Sequence, residues 1–225
     1  MIDLGVIVGS GQDWHVGLVG RRRRRDDVKV PCLAVALVHC RPSPRQMPVP
    51  HLPRLIAHRG LPRRHRENTL AGFLAATAAG ADGWELDVHA SRDGVVVVHH
   101  DPVLPAWAGA LGGVAIASAD WSTLAEATVG EAGERMPTLD AVLHAATTDC
   151  DVYVEIKARG IEPEVAAVLA RHPGVRTAVH SFDHRVSSRI RAIASNTPTG
   201  ILLDSYLMDP AHALATAGAR DFWPH

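Results

Sequence analysis

The sequence predicts an α/β fold of the (β/α)₈ barrel type, and three observations carry that expectation. From Arg54 onward, short apolar runs alternate with amphipathic helical segments, the signature of a parallel sheet covered by helices. Polar residues recur at the ends of the apolar runs, where barrel enzymes place their catalytic groups. The turn after the first run, "HRGLPRRHREN", lacks the glycine-rich phosphate loop that a doubly wound open sheet normally shows there.

The elements follow in order. "RLIAH" is a strand ending at Gly60, and "NTLAGFLAATAAG" is a helix closed by Gly80. "GWELDV" and "GVVVVHH" are strands joined through the turn "SRDG". "STLAEA" and "TLDAVLHAA" open on hydroxyl residues that cap helices. "DVYVEIKA", "VRTAVHSF" and "TGILLD" are strands, separated by the helices "PEVAAVLARH" and "DHRVSSRIRAIAS". "PAHALATAGA" is a last helix, and "DFWPH" opens one more strand. Leaving out the second hairpin strand, the expected count is six strands with a seventh beginning at the end of the chain. A full barrel typically takes about 250 residues.

Residues 1–53 read differently. A five-arginine block precedes the proline-rich piece "RPSPRQMPVPHLP", which lacks a sustained period and is expected to be an irregular extension. Met47 is the expected natural start, which makes the first 46 residues a mis-assigned extension. The run "VPCLAVALVHC" at 30–40 has a signal-like basic flank, but it lies deep in the chain and two aspartates interrupt its approach. The expectation is therefore a cytoplasmic protein without a transmembrane segment, because no apolar run reaches ~18–20 residues.

Composition narrows the function classes. The chain has 225 residues, 47% hydrophobic, with net charge −1, so no overall field points to nucleic acid or to an anionic membrane. Aromatic residues at 4% argue against base stacking on single strands. Cys32, Cys40 and Cys150 form neither a CxxC pair nor a zinc spacing, which suits a reducing compartment. Nothing in the sequence fixes an oligomeric state.

The chemistry concentrates in "WELDVHASRDGVVVVHHD", residues 84–101. Residues i and i+2 of a strand share a face, so Glu85 pairs with Asp87, and Glu155 with Lys157 further on. An inward carboxylate in a barrel must be paired or bind a metal. Oxygen donors without a nearby cysteine favour a hard cation, Mg²⁺ or Ca²⁺. The competing reading is a structural ion network of these carboxylates with Arg59 and Lys157. His58, His99, His100 and Asp101 add titratable groups at further strand ends.

These motifs, taken together, resemble the glycerophosphodiester phosphodiesterase family. The resemblance rests on HRG at 58–60, EN at 67–68, ExD at 85–87, DG at 93–94, HD at 100–101, EIK at 155–157, and the landmarks "PTLDAVL" and "HSFD". It covers about residues 54–225. It implies a metal-dependent hydrolase releasing glycerol 3-phosphate and an alcohol such as choline or ethanolamine. It further implies His58 and His100 as the general acid/base pair, and Glu85, Asp87 and Glu155 as metal carboxylates. Arg59 and Lys157 would contact the phosphate, with Glu67 a further carboxylate near the metal. Asn68 is expected to cap the following helix and His99 to be an ordinary packed histidine; for His89, which shares a face with Asp87, a supporting role beside the metal strand is the lesser of two readings.

Two departures qualify the resemblance. Arg66 stands where the family motif carries proline. Family members also continue through another helix, a last strand with a tryptophan motif and a final helix, so the expected architecture is a phosphodiesterase-type barrel truncated after its seventh strand. Trp223 falls a strand too early to be that tryptophan. Two alternatives stand beside the main reading. One is a lysophospholipid phosphodiesterase using "LPAWAGALGGVAIA" at 104–117 as an apolar rim, although that stretch reads first as an insertion packing on the barrel. The other is an inactive binding fragment.

Overall fold

The computed structural model describes residues 53–130 and 133–224; the expectations for the extension, including Met47 and the run at 30–40, lie outside them. The strands are β1 (Ile56–His58), β2 (Gly83–Ala90), β3 (Val96–Val98), β4 (Asp151–Ile156), β5 (Arg176–Ser181), β6 (Thr199–Leu203) and β7 (Asp221–Pro224). The helices are α1 (Leu70–Ala78), α2 (Trp121–Leu124), α3 (Leu139–Ala145), α4 (Glu162–Ala170), α5 (Arg185–Ile193) and α6 (Pro210–Ala217). One sheet holds all seven strands in the order β1-β2-β4-β5-β6-β7, with β3 attached to β2.

Pairing is parallel along that path, and only β3 runs antiparallel, against the end of β2. The total of seven is therefore reached by counting the hairpin strand, leaving six parallel strands where six and the start of a seventh were expected. β3 is also shorter than "GVVVVHH" suggested. It stops at Val98, and His99 and His100 lie in the turn beyond it.

Alternation along the strands sorts the sheet into two faces. Trp84, Leu86, Val88, Val152, Val154, Ile156 and Val179 turn outward and form one buried core with Phe73 of α1, Leu139 of α3, Val165 of α4 and Ile190 of α5. Phe73 stacks on Trp84 with centroids 5.3 Å apart, and the Trp84 indole N–H donates to Thr77 Oγ1 at 2.9 Å. This layer carries the hydrophobic stabilisation. The concave face is different. There Ile56 of β1 packs with Leu202 of β6, Trp223 of β7 and Tyr153 of β4, a contact between distant strands that the curl of the sheet makes possible.

Residues between β3 and α3 build a second core of their own. Val97 meets Leu104, Ala108, Ile116, Leu124 and Met136 there. Leu104, Ala108 and Ile116 of the stretch 104–117 thus turn inward, as the insertion reading expects, while Trp107 stays about half exposed. Thr138 caps α3, accepting from the Ala141 N–H. α2, by contrast, begins one residue before Ser122, with Asp120 at its cap position and no side-chain capping bond.

Candidate active site

The site forms where the C-terminal ends of β1, β2 and β4 meet the turns that follow them. Register places His58 beside Glu85, and Asp87 beside Glu155. With i, i+2 parity, Glu85, Asp87 and Glu155 therefore project together from the concave face. All three are buried, and one ligand oxygen from each lies within 4.8 Å of the others.

The immediate charge balance is uneven. Lys157 Nζ sits 2.8 Å from Glu155 Oε1 and 3.6 Å from Asp87 Oδ1. Arg59 Nε lies 3.1 Å from Asp87 Oδ2. Two cations thus face three clustered carboxylates. Burial, with Asp87 and Glu155 adding repulsion, pushes the Glu85 carboxyl well above the usual carboxylate range. Burial raises Glu155 as well, against the hydrogen bond from Lys157. Asp87 Oδ1 is buried without a hydrogen-bond partner. A crowded set of oxygen donors with an unsatisfied buried atom fits a hard divalent cation.

The backbone around β1 is shaped to deliver these groups. Arg59 has φ 55° and Gly60 φ 91°, so the chain turns left-handed straight after the strand. The Arg59 N–H donates to the Glu85 carbonyl at 2.9 Å and to its side chain at 3.2 Å. Gly60 packs on the first turn of α1; a Cβ there would lie 2.9 Å from the Gly72 carbonyl carbon. Gly60→Ala is expected to lower stability by about 1–3 kcal/mol through positive φ and this overlap. An unchanged urea midpoint would show that the turn does not depend on them.

His58 reaches Glu85 Oε2 at 3.7 Å. His100 approaches from the opposite wall, with Nδ1 2.7 Å from Asp101 Oδ1 and Nε2 3.2 Å from Lys157 Nζ. A carboxylate only accepts, so Nδ1 carries the proton and the Nε2 lone pair turns toward Lys157. The His89 Nε2–H donates to the His100 carbonyl at 3.0 Å, which fixes the turn holding that imidazole. Burial draws the His89 pKa down.

Sequence reasoning misplaced one residue here and overlooked a pair. Asn68 does not cap α1. Thr69 does, accepting from the Gly72 N–H at 3.1 Å. Asn68, buried and at φ 57°, instead donates from Nδ2 to Asp87 Oδ2 at 2.8 Å and accepts from the Asp87 N–H at 3.3 Å. Glu67 stands outside the carboxylate group and pairs with Arg59 at 3.2 Å. The overlooked pair is His180 and Asp221, 3.0 Å apart on the concave face. His180 reaches across β6 because Gly200 has no side chain; a Cβ would lie 2.5 Å from His180 Nε2.

Residues 58–224 match the profile of the "Glycerophosphoryl diester phosphodiesterase family". The chain belongs to that family. Its members are phosphoric diester hydrolases. The chain is 34% identical over 181 residues to a glycerophosphodiester phosphodiesterase of Caldanaerobacter subterraneus subsp. tengcongensis, covering 76% of this chain and 74% of the relative. A glycerophosphodiester phosphodiesterase structure from Agrobacterium tumefaciens is similar at 29% identity and TM-score 0.68, covering 76% of this chain and 75% of that one. An Oleispira antarctica phosphodiesterase, solved in complex with the product sn-glycerol-3-phosphate, is similar at 25% identity and TM-score 0.70, covering 77% and 75%. The fold is accordingly that of the family's TIM barrels. Among the described residues no helix is long and apolar enough to cross a membrane.

Proposed function

We propose that the chain hydrolyses glycerophosphodiesters to glycerol 3-phosphate and an alcohol, with a divalent cation held by Glu85, Asp87 and Glu155. The observation that carries this reading is the trio of buried carboxylates within 4.8 Å of one another, flanked by two imidazoles. A bound Mg²⁺ or Ca²⁺ would polarise the phosphoryl oxygens and offset their charge. Arg59 and Lys157, the cations beside Asp87, would neutralise further charge that develops in the transition state.

His58 and His100 act as the acid–base pair: one takes the proton of the attacking hydroxyl, the other supplies one to the departing oxygen. Asp101 holds the proton on His100 Nδ1 and so frees Nε2 for transfer. Asn68 fixes the Asp87 carboxylate, and His89 fixes the His100 backbone, so both act through the groups they hold.

The test is coupled detection of glycerol 3-phosphate from glycerophosphoglycerol and from glycerophosphocholine, with Mg²⁺, Ca²⁺ or EDTA. Release that depends on the added cation is expected. Equal release in EDTA would remove the metal from the reading, and silence toward both substrates with either cation would overturn it.

A further inference from the structure

The Lys157 ammonium touches two parts of the site at once. Its Nζ lies 2.8 Å from Glu155 Oε1 and 3.6 Å from Asp87 Oδ1, two of the carboxylates proposed to take the divalent cation. It also donates to His100 Nε2 at 3.2 Å. Asp101 keeps the His100 proton on Nδ1, so the Nε2 lone pair is the one able to accept a proton. While the ammonium engages that lone pair, His100 cannot serve as a base.

The two cations beside Asp87 are held differently. Arg59 is anchored on its far side by Glu67, 3.2 Å from Nη1, and its backbone N–H donates to Glu85. Among the described residues, the polar partners of the Lys157 ammonium are Glu155, Asp87 and His100, all within the site. The choice of residue fits this difference. Of the chain's 23 lysines and arginines, only Lys29 and Lys157 are lysine. Arginine grips carboxylates through a rigid fork, whereas lysine is a compact charge on a flexible stem that can change partners.

We propose that Lys157 is a stand-in cation that links metal occupancy to the acid–base group. Lys157 yields Asp87 and Glu155 when a divalent cation occupies the carboxylates, and in leaving uncovers His100 Nε2. The inference rests on the hydrolase reading above. Like charges crowded onto three carboxylates repel, and the charge on the flexible stem is the one that moves. The Phe182 ring, 5.8 Å from Nζ, offers the displaced ammonium a favourable neighbour, and the phosphoryl group of a bound diester offers another. Lys157 is then a positioning residue for His100 as well as a phosphate contact.

The experiment is calorimetric titration of the full chain with Mg²⁺ and with Ca²⁺, for wild type, Lys157→Met, His100→Ala and the double variant. Lys157→Met should bind the cation about tenfold more tightly. Removing any nearby positive charge would have that effect, so the decisive comparison is His100→Ala, which takes away one anchor of the ammonium and no carboxylate. His100→Ala should tighten binding about three- to tenfold where Lys157 is present, the worth of one hydrogen bond, and leave it unchanged in the Lys157→Met background. Lys157→Ala takes the place of Lys157→Met should that variant fail to fold. Affinity that His100→Ala leaves unchanged or weakens, or tightens equally in both backgrounds, would overturn the proposal while leaving the hydrolase reading intact. If none of the proteins takes up either cation, the metal drops out of the hydrolase reading itself, and the stand-in role goes with it.

Discussion

Replacing His100 with alanine is expected to lower kcat/KM by about 10²–10⁴-fold, the usual contribution of a positioned acid or base. The imidazole is partly exposed, and its ring bonds run to Asp101 and Lys157, so its loss opens no cavity in either core. Thermal midpoints of variant and wild type should agree to within a few degrees. Added imidazole should restore part of the rate, because the site would then lack only a proton carrier. A loss of less than tenfold, or a rate that imidazole leaves untouched, would move the acid–base role away from this side chain.

Asp87 and Glu85 should respond in opposite directions, although both belong to the same carboxylate group. Asp87 faces Arg59 and Lys157 and is tied to Asn68. Asp87→Ala strands a buried amide and two cations, at an expected cost of about 3–5 kcal/mol, or a midpoint lowered by roughly 6–20 °C. It should also abolish the rise in midpoint that Mg²⁺ or Ca²⁺ gives the wild type. Glu85 is held well above the usual carboxylate range by burial and by its acidic neighbours. In EDTA, Glu85→Gln should therefore leave stability unchanged or raise it.

The pH dependence follows from the same direction. The folded, metal-free protein retains a proton on Glu85 that the unfolded chain has already lost. Its stability then falls as pH rises from the ordinary carboxylate value, about 4.3, toward the elevated one. Glu85→Gln should flatten that limb. Urea titrations in EDTA across this range check it, and a slope of the opposite sign would show that Glu85 is stabilised as a carboxylate.

Much of this site was legible because strand parity is a local property. Glu85 with Asp87, and Glu155 with Lys157, could be assigned to common faces from spacing alone, and the ordered motifs resemble one family from HRG to HSFD. Asn68 was misread because Asn and Thr are both good caps, and the choice between them rests on φ. Asn68 is left-handed, which turns its amide to Asp87, while Thr69 is extended and caps α1. His99 and His100 were read as part of a strand, yet pairing ends at Val98 and the turn toward Asp101 begins. The His180–Asp221 pair joins residues 41 positions apart and needs the missing side chain of Gly200 between them, a relation that no local pattern contains. Glu67 follows the HRG motif closely in sequence, but the free carboxylate nearest an arginine pairs with it, and Arg59 takes it.

One row of the sheet runs Asp87, Glu155, His180, Gly200, Asp221, each beside the next through backbone pairing. The residues that flank this row along each strand point the other way, into the layer that holds the helices. Chemistry and cohesion are thus written on alternating letters of the same strands. Substitutions in the row can be explored without disturbing the packed layer, while a one-residue insertion within any of these strands would exchange the two alphabets and lose both. An inherited or engineered change of reaction on this scaffold should therefore arise by replacement along the row, with indels confined to the connecting loops.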